Sequence, residues 1–293
     1  MPYVTEDNLT DVALERWKDI PDPRLRQIMQ SLIKQMHGFV REIEPTQQEW
    51  ATAIDWLTRT GKLCSEKRQE FILASDVLGV SMLVDAINNR RPGGATPSTV
   101  EGPFHVPNAP PIANGGDMAK EAPGIACFIT GTVRGLDGEP VAGAVLDLWQ
   151  TDGEGLYEGM RDASGPWMRG LYRTLADGSY AIRTVAPIGY TIPMDGTVGE
   201  LVERTNISHM RPAHIHFAIS APGYHGCVTH LFRRGDEFIE TDVVYGVKEP
   251  LIVDFVERPP GKAPTGEVVS TPFYEIRYDF VLLKAAAALA AAE

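Results

Sequence analysis

The hydrophobic pattern of this 293-residue chain changes its period once, and that change limits the fold more than any other feature. Over roughly the first 90 residues, apolar side chains recur three and four positions apart, as on one face of a helix. Leu25, Ile28, Leu32 and Met36 belong to such a stripe. Thr46-Gln-Gln-Glu49 has the pattern of a capping box that opens a second helix. The first third of the chain is therefore predicted to be helical.

A third helix is predicted over the apolar run from Phe71 to Val84, with Ser65 as a candidate N-terminal cap. The run is apolar nearly all round, which is typical of a buried helix. Its one ionisable side chain is Asp76, and a lone buried carboxylate is costly unless it has a partner or a function. Asp76 is therefore a candidate site residue, and Leu73 shares its face of the helix.

Residues 91–125 interrupt this pattern, because Arg91-Pro-Gly-Gly and Pro107-Asn-Ala-Pro-Pro break both helices and strands. Further on, short runs with strand character are separated by turn signals such as Asp137-Gly138 and Asp177-Gly178. The predicted strands cover residues 127–133, 144–149, 180–185, 214–219, 228–232 and 276–281. Helices followed by strands predict an α+β chain, in which an N-terminal helical domain precedes an antiparallel β-sandwich.

Composition excludes several partners and locations. A formal net charge of −12 argues against nucleic acid as the main partner. Cys64, Cys127 and Cys227 form no CxxC pair, which argues against a disulfide framework and against a thiolate metal site. No apolar stretch has the length of a membrane span, and the acidic N-terminus lacks a signal-peptide run, so we expect a cytoplasmic protein.

The segment from Arg211 to Ile219 carries the clearest chemical signal. Side chains alternate along a strand, so His214 and His216 share one face while Ile215 and Phe217 occupy the other. Imidazole is the commonest metal ligand in proteins, and the pair therefore indicates a metal site. The plainer interpretation is two polar residues on a wetter sheet face. The other histidines nearby match no zinc spacing: His209, His225 and His230.

Two tyrosines lie in turn contexts, Tyr157 after Asp152-Gly-Glu-Gly-Leu and Tyr190 within Pro187-Ile-Gly-Tyr-Thr-Ile-Pro193. Taken alone, each is typical of a packing tyrosine. Taken with the histidine pair, their order and spacing resemble the intradiol ring-cleavage dioxygenases of the catechol and hydroxyquinol 1,2-dioxygenase branch. The resemblance covers roughly residues 22–284. It rests on Trp149, Gly155-Leu-Tyr157, Gly189-Tyr190 with Pro193 and Asp195-Gly196, and Arg211-Pro-Ala-His214-Ile-His216.

The resemblance implies one non-haem Fe(III) ion per subunit and no organic cofactor. The ligands that it implies are Tyr157, Tyr190, His214 and His216. It further implies a small diphenol and O2 as substrates, with Tyr157 retained on the iron and Tyr190 leaving it to act as a base. Arg211 is implied to stabilise negative charge that develops on the ring during O2 attack. His230 stands where many catechol-cleaving relatives have glutamine, and its role stays open.

The resemblance also implies a substrate pocket, made by Leu73, Asp76, Val100, Glu101, Gly102, Pro103, Phe104, Ile192, Pro193 and Val244. Catechol enzymes of the family typically have an apolar residue or proline at the position of Asp76. An acceptor there suits a third ring hydroxyl, which favours hydroxyquinol over the alternatives, catechol and chlorocatechol. The plainer interpretation is an Asp76 that only bonds to nearby backbone or to an arginine.

Three domains follow from these patterns: a helical N-terminal domain over residues 1–100, a catalytic β-sandwich over 101–284, and an Ala-rich tail over 285–293. The resemblance implies a homodimer that pairs through the N-terminal helices, with a phospholipid trapped at the interface.

Two other classes of protein share parts of this pattern. The segment Gly131–Val145 is similar to the opening of transthyretin-like sandwich domains, some of which only bind, and a binding sandwich has no need of the Tyr and His quartet. An iron(II) or zinc enzyme built on the His pair would need a carboxylate or a third histidine as a further ligand.

Overall fold

The structure, a computed structural model, describes residues 3–65, 68–91, 93–158, 160 and 165–285. The chain divides into two compact units, Met1–Arg59 and Thr60–Glu293. The predicted domain boundary at residue 100 stays a prediction, and of the predicted tail only residue 285 is described. The helices are α1 (Leu9–Arg16), α2 (Pro23–Ile43), α3 (Gln47–Leu63), α4 (Glu70–Val77), α5 (Val80–Asn88) and α6 (Thr197–Thr205). None of the helices in these described ranges is long and apolar enough to cross a bilayer.

The helices α2 and α3 begin where the sequence signals them. The side chain of Asp22 accepts hydrogen bonds from the backbone N–H groups of Arg24 and Leu25, at 2.7 and 3.0 Å, and Pro23 opens α2. The predicted capping box before α3 is confirmed. Its Glu49 Oε2 accepts from the Thr46 N–H at 2.8 Å, while Thr46 Oγ1 accepts from the Glu49 N–H at 3.2 Å.

The prediction of one buried helix from Phe71 to Val84 is wrong. Two helices, α4 and α5, meet at Gly79, whose φ of +73° is in the left-handed region that favours glycine. Only part of this apolar run is buried: Leu73 is 6% exposed, whereas Leu83 is 61% exposed. Ser65 does not cap α4; the N-terminal cap of α4 is Gln69.

The strands form two main sheets. Their bounds are β1 (Ala126–Gly135), β2 (Val145–Gln150), β3 (Arg169–Arg173), β4 (Ser179–Val185), β5 (Tyr190–Thr191), β6 (Met210–Arg211), β7 (His214–Ser220), β8 (Cys227–Arg233), β9 (Ile252–Val253), β10 (Val256–Arg258), β11 (Gly261–Lys262), β12 (Val268–Val269), β13 (Phe273–Arg277) and β14 (Phe280–Leu282). One sheet has the order β3-β2-β7-β8-β9. In the other, β1 pairs with β4 on one side and with β13 and β14 on the other, and β10 pairs with β13.

The sandwich is mainly antiparallel, with three parallel pairings: β1 with β13, β1 with β14, and β8 with β9. The single strand predicted over 276–281 is wrong, because the chain interrupts its pairing between β13 and β14. At that point the Tyr278 carbonyl oxygen approaches Gly131 so closely that a Cβ there would lie 1.7 Å from it. Only glycine fits at this position of β1.

Inward-facing apolar residues of both sheets form the core. The described part of residues 91–125 contains turns and isolated bridges at Pro111 and Asp117, as the breaker pattern predicts. Sequence patterning missed α1, α6, β3 and the shorter strands. Of these, β5 and β6 matter most because they carry Tyr190 and Arg211.

Candidate functional site

Both histidines of the HxH pair lie on β7, a central strand that pairs with β2 on one side and β8 on the other. As predicted from alternation, Ile215 and Phe217 point into the apolar core, and each is 0% exposed. His214 and His216 project from the opposite face, and each is 1% exposed. The strand therefore presents two buried imidazoles side by side.

Register places an aromatic side chain on each side of His216. Trp149 of β2 is directly opposite, and its ring stacks on the His216 imidazole at 4.7 Å between centroids. His230 of β8 is opposite on the other side, and its Nε2 lies 2.7 Å from His216 Nδ1. The ring of His216 is thus held on two sides.

A side-chain-stabilised turn positions Tyr157. The Asp152 carboxylate accepts hydrogen bonds from the backbone N–H groups of Glu154 and Leu156, at 2.9 and 3.2 Å. Gly155, with φ of +83°, completes the turn, and a Cβ at this residue would lie 3.5 Å from Tyr190 Cβ. The turn therefore delivers the Tyr157 ring into the interior.

Tyr190 reaches the same place from β5, a two-residue strand that pairs with β6 so that Tyr190 is opposite Arg211. The Tyr157 and Tyr190 rings meet edge to face at 5.3 Å between centroids. Tyr190 is 8% exposed and Tyr157 is 2% exposed, so Tyr190 is the more accessible of the two.

Tyr157, Tyr190, His214 and His216 form a quartet whose polar atoms cluster around the Tyr157 hydroxyl. The Tyr157 hydroxyl oxygen lies 2.9 Å from His216 Nε2, 3.4 Å from His214 Nε2 and 3.3 Å from the Tyr190 hydroxyl. The two Nε2 atoms are 3.1 Å apart. Two atoms that share a first-row ion at about 2.0–2.1 Å, at angles between a right angle and the tetrahedral angle, are separated by about 2.9–3.4 Å. The spacing of the quartet suits one shared ion.

Burial keeps these imidazoles neutral. Removal from water lowers the pKa of His214 well below its ordinary value, with the Arg211 guanidinium as a second cause. Burial likewise lowers the pKa of His216, and so does its neighbour His230. The His214 Nδ1–H donates to the Pro212 carbonyl at 2.7 Å, which leaves the Nε2 lone pair facing the quartet. A neutral imidazole with a free lone pair is the form that binds metals.

The pKa of Tyr157 is raised well above its ordinary value, first by burial and then by Tyr190, while the positive Arg211 opposes this shift. A buried phenolate therefore needs a nearby cation. A metal ion at the centre of the quartet would supply that charge.

Arg211 is itself buried beside the quartet. Its Nη1 lies 3.1 Å from His214 Nε2, and its Nε donates to Asp242 Oδ1 at 3.1 Å. Burial disfavours the charged guanidinium, but the Asp242 carboxylate, together with Tyr190 and Tyr157, outweighs it, so the pKa of Arg211 lies above its ordinary value. The site thus holds a permanent positive charge next to the quartet.

A cavity of about 510 Å³ opens beside these residues. Four predicted pocket residues line it: Leu73, Pro103, Phe104 and Pro193. Phe104 also stacks on the Tyr157 ring at 4.4 Å between centroids, which joins the cavity to the quartet. Further lining comes from Arg68, Gln69, Glu70, Met160 and Asp195.

The other predicted pocket residues lie in different settings. A Cβ at Gly102 would be 3.5 Å from His216 Cε1, so this glycine lies against the quartet. Ile192 and Val244 are buried, and Val100 is half-buried. Glu101 is exposed and its Oε1 pairs with His105 Nδ1 at 2.9 Å.

Asp76 is 3% exposed and lies one helical turn beyond Leu73 on α4. Burial raises the pKa of Asp76, while a hydrogen bond with Ser81 and the charge of Arg211 oppose the rise. The positive charge of Arg211 thus acts on the pKa of Asp76 as well as on the quartet.

Models of two families match the chain: "Dioxygenase" over residues 100–284 and "Catechol dioxygenase N terminus" over residues 22–96. The chain is 47% identical to a 6-chlorohydroxyquinol 1,2-dioxygenase of Cupriavidus pinatubonensis, over 96% of this chain and 99% of the relative. It belongs to the intradiol ring-cleavage dioxygenase family. The enzyme is also 43% identical to a hydroxyquinol 1,2-dioxygenase of a Rhizobium species, over 96% and 97% of the two chains. The solved structure of hydroxyquinol 1,2-dioxygenase from Pseudomonas putida DLL-E4 is similar, with a TM-score of 0.91, 44% identity and coverage of 96% and 99%.

A member of this family is an enzyme, so the chain is not a non-catalytic binding sandwich. An iron(II) or zinc site would need a third ligand, and His214, His216 and His230 form a buried cluster. His230, however, contacts Nδ1 of His216, on the side of that ring away from Tyr157. The geometry therefore favours the Tyr and His quartet over a three-histidine site.

Sequence reasoning missed two contributors to the site. Asp242 neutralises Arg211 from 31 positions further along the chain, and no local pattern links the two residues. The contact between His230 and His216 depends on the register of β7 and β8, which spacing along the chain does not reveal.

Proposed function

We propose that this dioxygenase cleaves hydroxyquinol (1,2,4-trihydroxybenzene) between its adjacent hydroxyls, using O2 and one non-haem Fe(III) ion. The product would be 3-hydroxy-cis,cis-muconate, the tautomer of maleylacetate. The proposal depends mainly on one observation, the clustering of two phenol oxygens and two imidazole nitrogens: the Tyr157 oxygen lies 2.9–3.4 Å from the other three atoms, and the two nitrogens are 3.1 Å apart. The names of the relatives in Cupriavidus and Rhizobium support this substrate class.

The residues proposed to hold the iron are Tyr157, Tyr190, His214 and His216. Phenolate oxygens are hard, anionic donors, and two of them with two neutral imidazoles suit a trivalent ion. An Fe(III) ion held by these residues would withdraw electron density from a bound diphenol and so make its ring reactive toward O2. A zinc or iron(II) site has no need of two phenolates.

The protein side chains have separate tasks in this reaction. Tyr190, which is the more exposed tyrosine and belongs to a two-residue strand, accepts a proton from the incoming diphenol. Tyr157 stays in place, since Phe104 stacks on its ring. Arg211, fixed by Asp242, offers positive charge to the negative charge that develops on the ring carbon.

Asp76 is proposed to recognise the third hydroxyl. It is buried on the same helix as Leu73, which lines the cavity. A buried carboxyl left without its substrate partner penalises a ring that lacks this hydroxyl. Catechol and chlorocatechol are the alternative substrates.

The remaining predicted pocket members, Val100, Glu101, Gly102, Ile192 and Val244, are proposed to shape the surroundings of the ring. Gly102 has the clearest support, because a side chain there would press on His216.

We also propose a homodimer that pairs through the N-terminal helices and traps a phospholipid between them. The support is a stripe on α2 whose apolar side chains are 46–59% exposed: Leu25, Ile28, Leu32, Met36, Phe39, Val40 and Ile43. Such a continuous apolar surface is typical of an interaction site. Sedimentation gives the mass in solution, and mass spectrometry of an organic extract reveals any lipid.

The reaction is tested by anaerobic titration of the iron-loaded protein with hydroxyquinol and with catechol, followed by admission of O2 and product identification. We expect a red-brown protein whose visible charge-transfer band shifts on binding, tighter binding of hydroxyquinol, and a ring-opened diacid. Tyr157→Phe should alter the band strongly. A fully active protein without iron and without colour would overturn the proposal.

A further inference from the structure

His230 is completely buried and directly opposite His216 on the neighbouring strand. Its Nε2 lies 2.7 Å from His216 Nδ1, and its Nδ1 lies 3.0 Å from Thr99 Oγ1. Both ring nitrogens of His230 are therefore engaged, and the one near His216 contacts its Nδ1, not the Nε2 that faces Tyr157.

We propose that His230 is a positioning residue that fixes the tautomer and ring orientation of His216 and ties that ring to the pocket segment. This inference rests on the proposed function, in which His216 binds the metal through Nε2. A lone pair on Nε2 requires that the His216 proton be on Nδ1. That N–H then donates to the unprotonated Nε2 of His230.

The tautomer of the His216 ring determines the tautomer of the His230 ring. Because His230 accepts at Nε2, its own proton is on Nδ1, and this N–H donates to the Thr99 hydroxyl oxygen. The Thr99 hydroxyl, which can accept as well as donate, receives this N–H and so completes the hydrogen-bond chain of His216 in its metal-binding tautomer. His214 has a simpler arrangement, because its Nδ1–H donates directly to the Pro212 carbonyl. Outer partners of this kind orient metal-binding imidazoles in general.

The same contact reaches the substrate pocket. Thr99 precedes the stretch that contains Gly102, which lies against His216, and Phe104, which stacks on Tyr157. This segment is fastened to β8, since the Thr99 N–H donates to the Val228 carbonyl at 2.9 Å. His230 thus links the ring of a proposed ligand to the segment that shapes the pocket.

The first measurement needs no metal. In metal-free protein labelled with 15N-histidine, NMR of the ring nitrogens should find protons on Nδ1 of both His216 and His230. Thr99→Val removes the acceptor while keeping the shape, and should mix the tautomers of both rings. Thr99→Ser keeps a hydroxyl and should behave as the natural protein. A natural protein with His216 protonated at Nε2 would refute the inference.

The second measurement is iron retention against a competing chelator. His230→Leu should weaken iron binding by about 10–100-fold and broaden the visible band, as loss of an outer partner does at other metal sites. His230→Gln should restore most of the affinity, because its amide oxygen can accept from His216 and its amide nitrogen can donate to Thr99. Thr99→Val should fall between them.

The two proposals fail in different ways. A natural protein that takes up no iron and develops no colour contradicts the proposed function, whereas the tautomer measurement still tests the role of His230. Iron retention by His230→Leu equal to the natural protein contradicts the positioning role alone. Equal losses of iron retention in His230→Gln and His230→Leu also contradict it.

Should His230→Leu fail to fold, the Thr99→Val and Thr99→Ser pair tests the same hydrogen-bond chain. Equal tautomers in these two variants would contradict the proposal.

Discussion

The quartet region of the sandwich and helix α2 differ in what they bury: the first buries polar side chains, and the second exposes apolar ones. Around the quartet, three buried polar or charged side chains have partners within the chain: Arg211 has Asp242, His216 has His230, and His214 has the Pro212 carbonyl. On α2, apolar side chains are about half exposed and no residue is buried. The first region satisfies its costly groups within the chain, while the second leaves apolar surface for something outside the chain. The two regions should therefore respond to substitution in different ways.

The largest effect is expected at the buried ion pair. Arg211→Met should lower kcat by about 10²–10³-fold, since positive charge beside the reacting ring is lost. It should also destabilise the fold by about 3–5 kcal/mol, because Asp242 is left as a buried, unpaired carboxylate. Steady-state kinetics and urea unfolding measure the two losses.

A double variant distinguishes the role of the Arg211 charge in catalysis from its role in the stability of the fold. Asp242→Asn keeps an oxygen for the Gly246 N–H, which now donates to Asp242 Oδ2 at 2.9 Å, and removes the negative charge. Added to Arg211→Met, it should restore most of the stability and none of the activity. Recovery of activity along with stability would show that Arg211 serves the fold and not the reaction.

The next effect concerns substrate choice. Asp76→Ala should reduce kcat/KM for hydroxyquinol about 10–100-fold more than for catechol, which is the range for losing one buried hydrogen bond to a hydroxyl. Competition between the two substrates in one reaction measures this ratio directly. Leu73→Ala, one turn earlier on α4, is the matched control and should change both substrates alike. Equal losses in Asp76→Ala would show that Asp76 does not recognise the third hydroxyl.

On α2, Leu32→Gln tests whether another subunit covers the exposed stripe. Leu32 is 48% exposed within one chain, so the substitution alone should change stability by less than about 0.5 kcal/mol. If the proposed homodimer buries this side chain, dimer dissociation should become about 10-fold easier or more. Sedimentation across a concentration series measures it. Lys34→Gln on the same helix is the control, and an unchanged dimer in Leu32→Gln would place the interface elsewhere.

The last comparison concerns two glycines with opposite expectations for stability. Gly79→Ala should destabilise by about 1–2 kcal/mol, since φ is +73° and a Cβ would lie 3.4 Å from the Tyr245 ring. Gly38→Ala, in the interior of α2 with no atom near its Cβ position, should stabilise by about 0.5–1 kcal/mol. Thermal unfolding compares them. A destabilised Gly38→Ala would mean that a partner subunit approaches this residue.

The sequence predicted best what depends on neighbours along the chain. The alternation of His214 and His216, the capping box of Thr46 and Glu49, and the turn before Tyr157 are local patterns, and the structure contains each of them. The helical stripe of α2 is local too.

What escaped prediction depends on distant contacts. The break at Gly79 follows from a backbone angle, and the apolar run on both sides gives no sign of it. The division into β13 and β14 follows from the close approach of Tyr278 to Gly131. Asp242 finds Arg211, and His230 finds His216, only through pairing between strands or loops. Four ligand candidates were accessible by resemblance, while the contacts that Asp242 and His230 make with the site were not.

The two histidines and Tyr190 differ in how firmly the backbone holds them. Strand β7 is hydrogen-bonded along both edges, whereas β5 is two residues long and has one partner. If Tyr190 leaves the proposed iron during turnover, that movement would disturb little of the protein, and the two imidazoles would continue to bind the ion. Under the proposed function, enzyme loaded once with iron should therefore keep working through many turnovers in a medium without free metal.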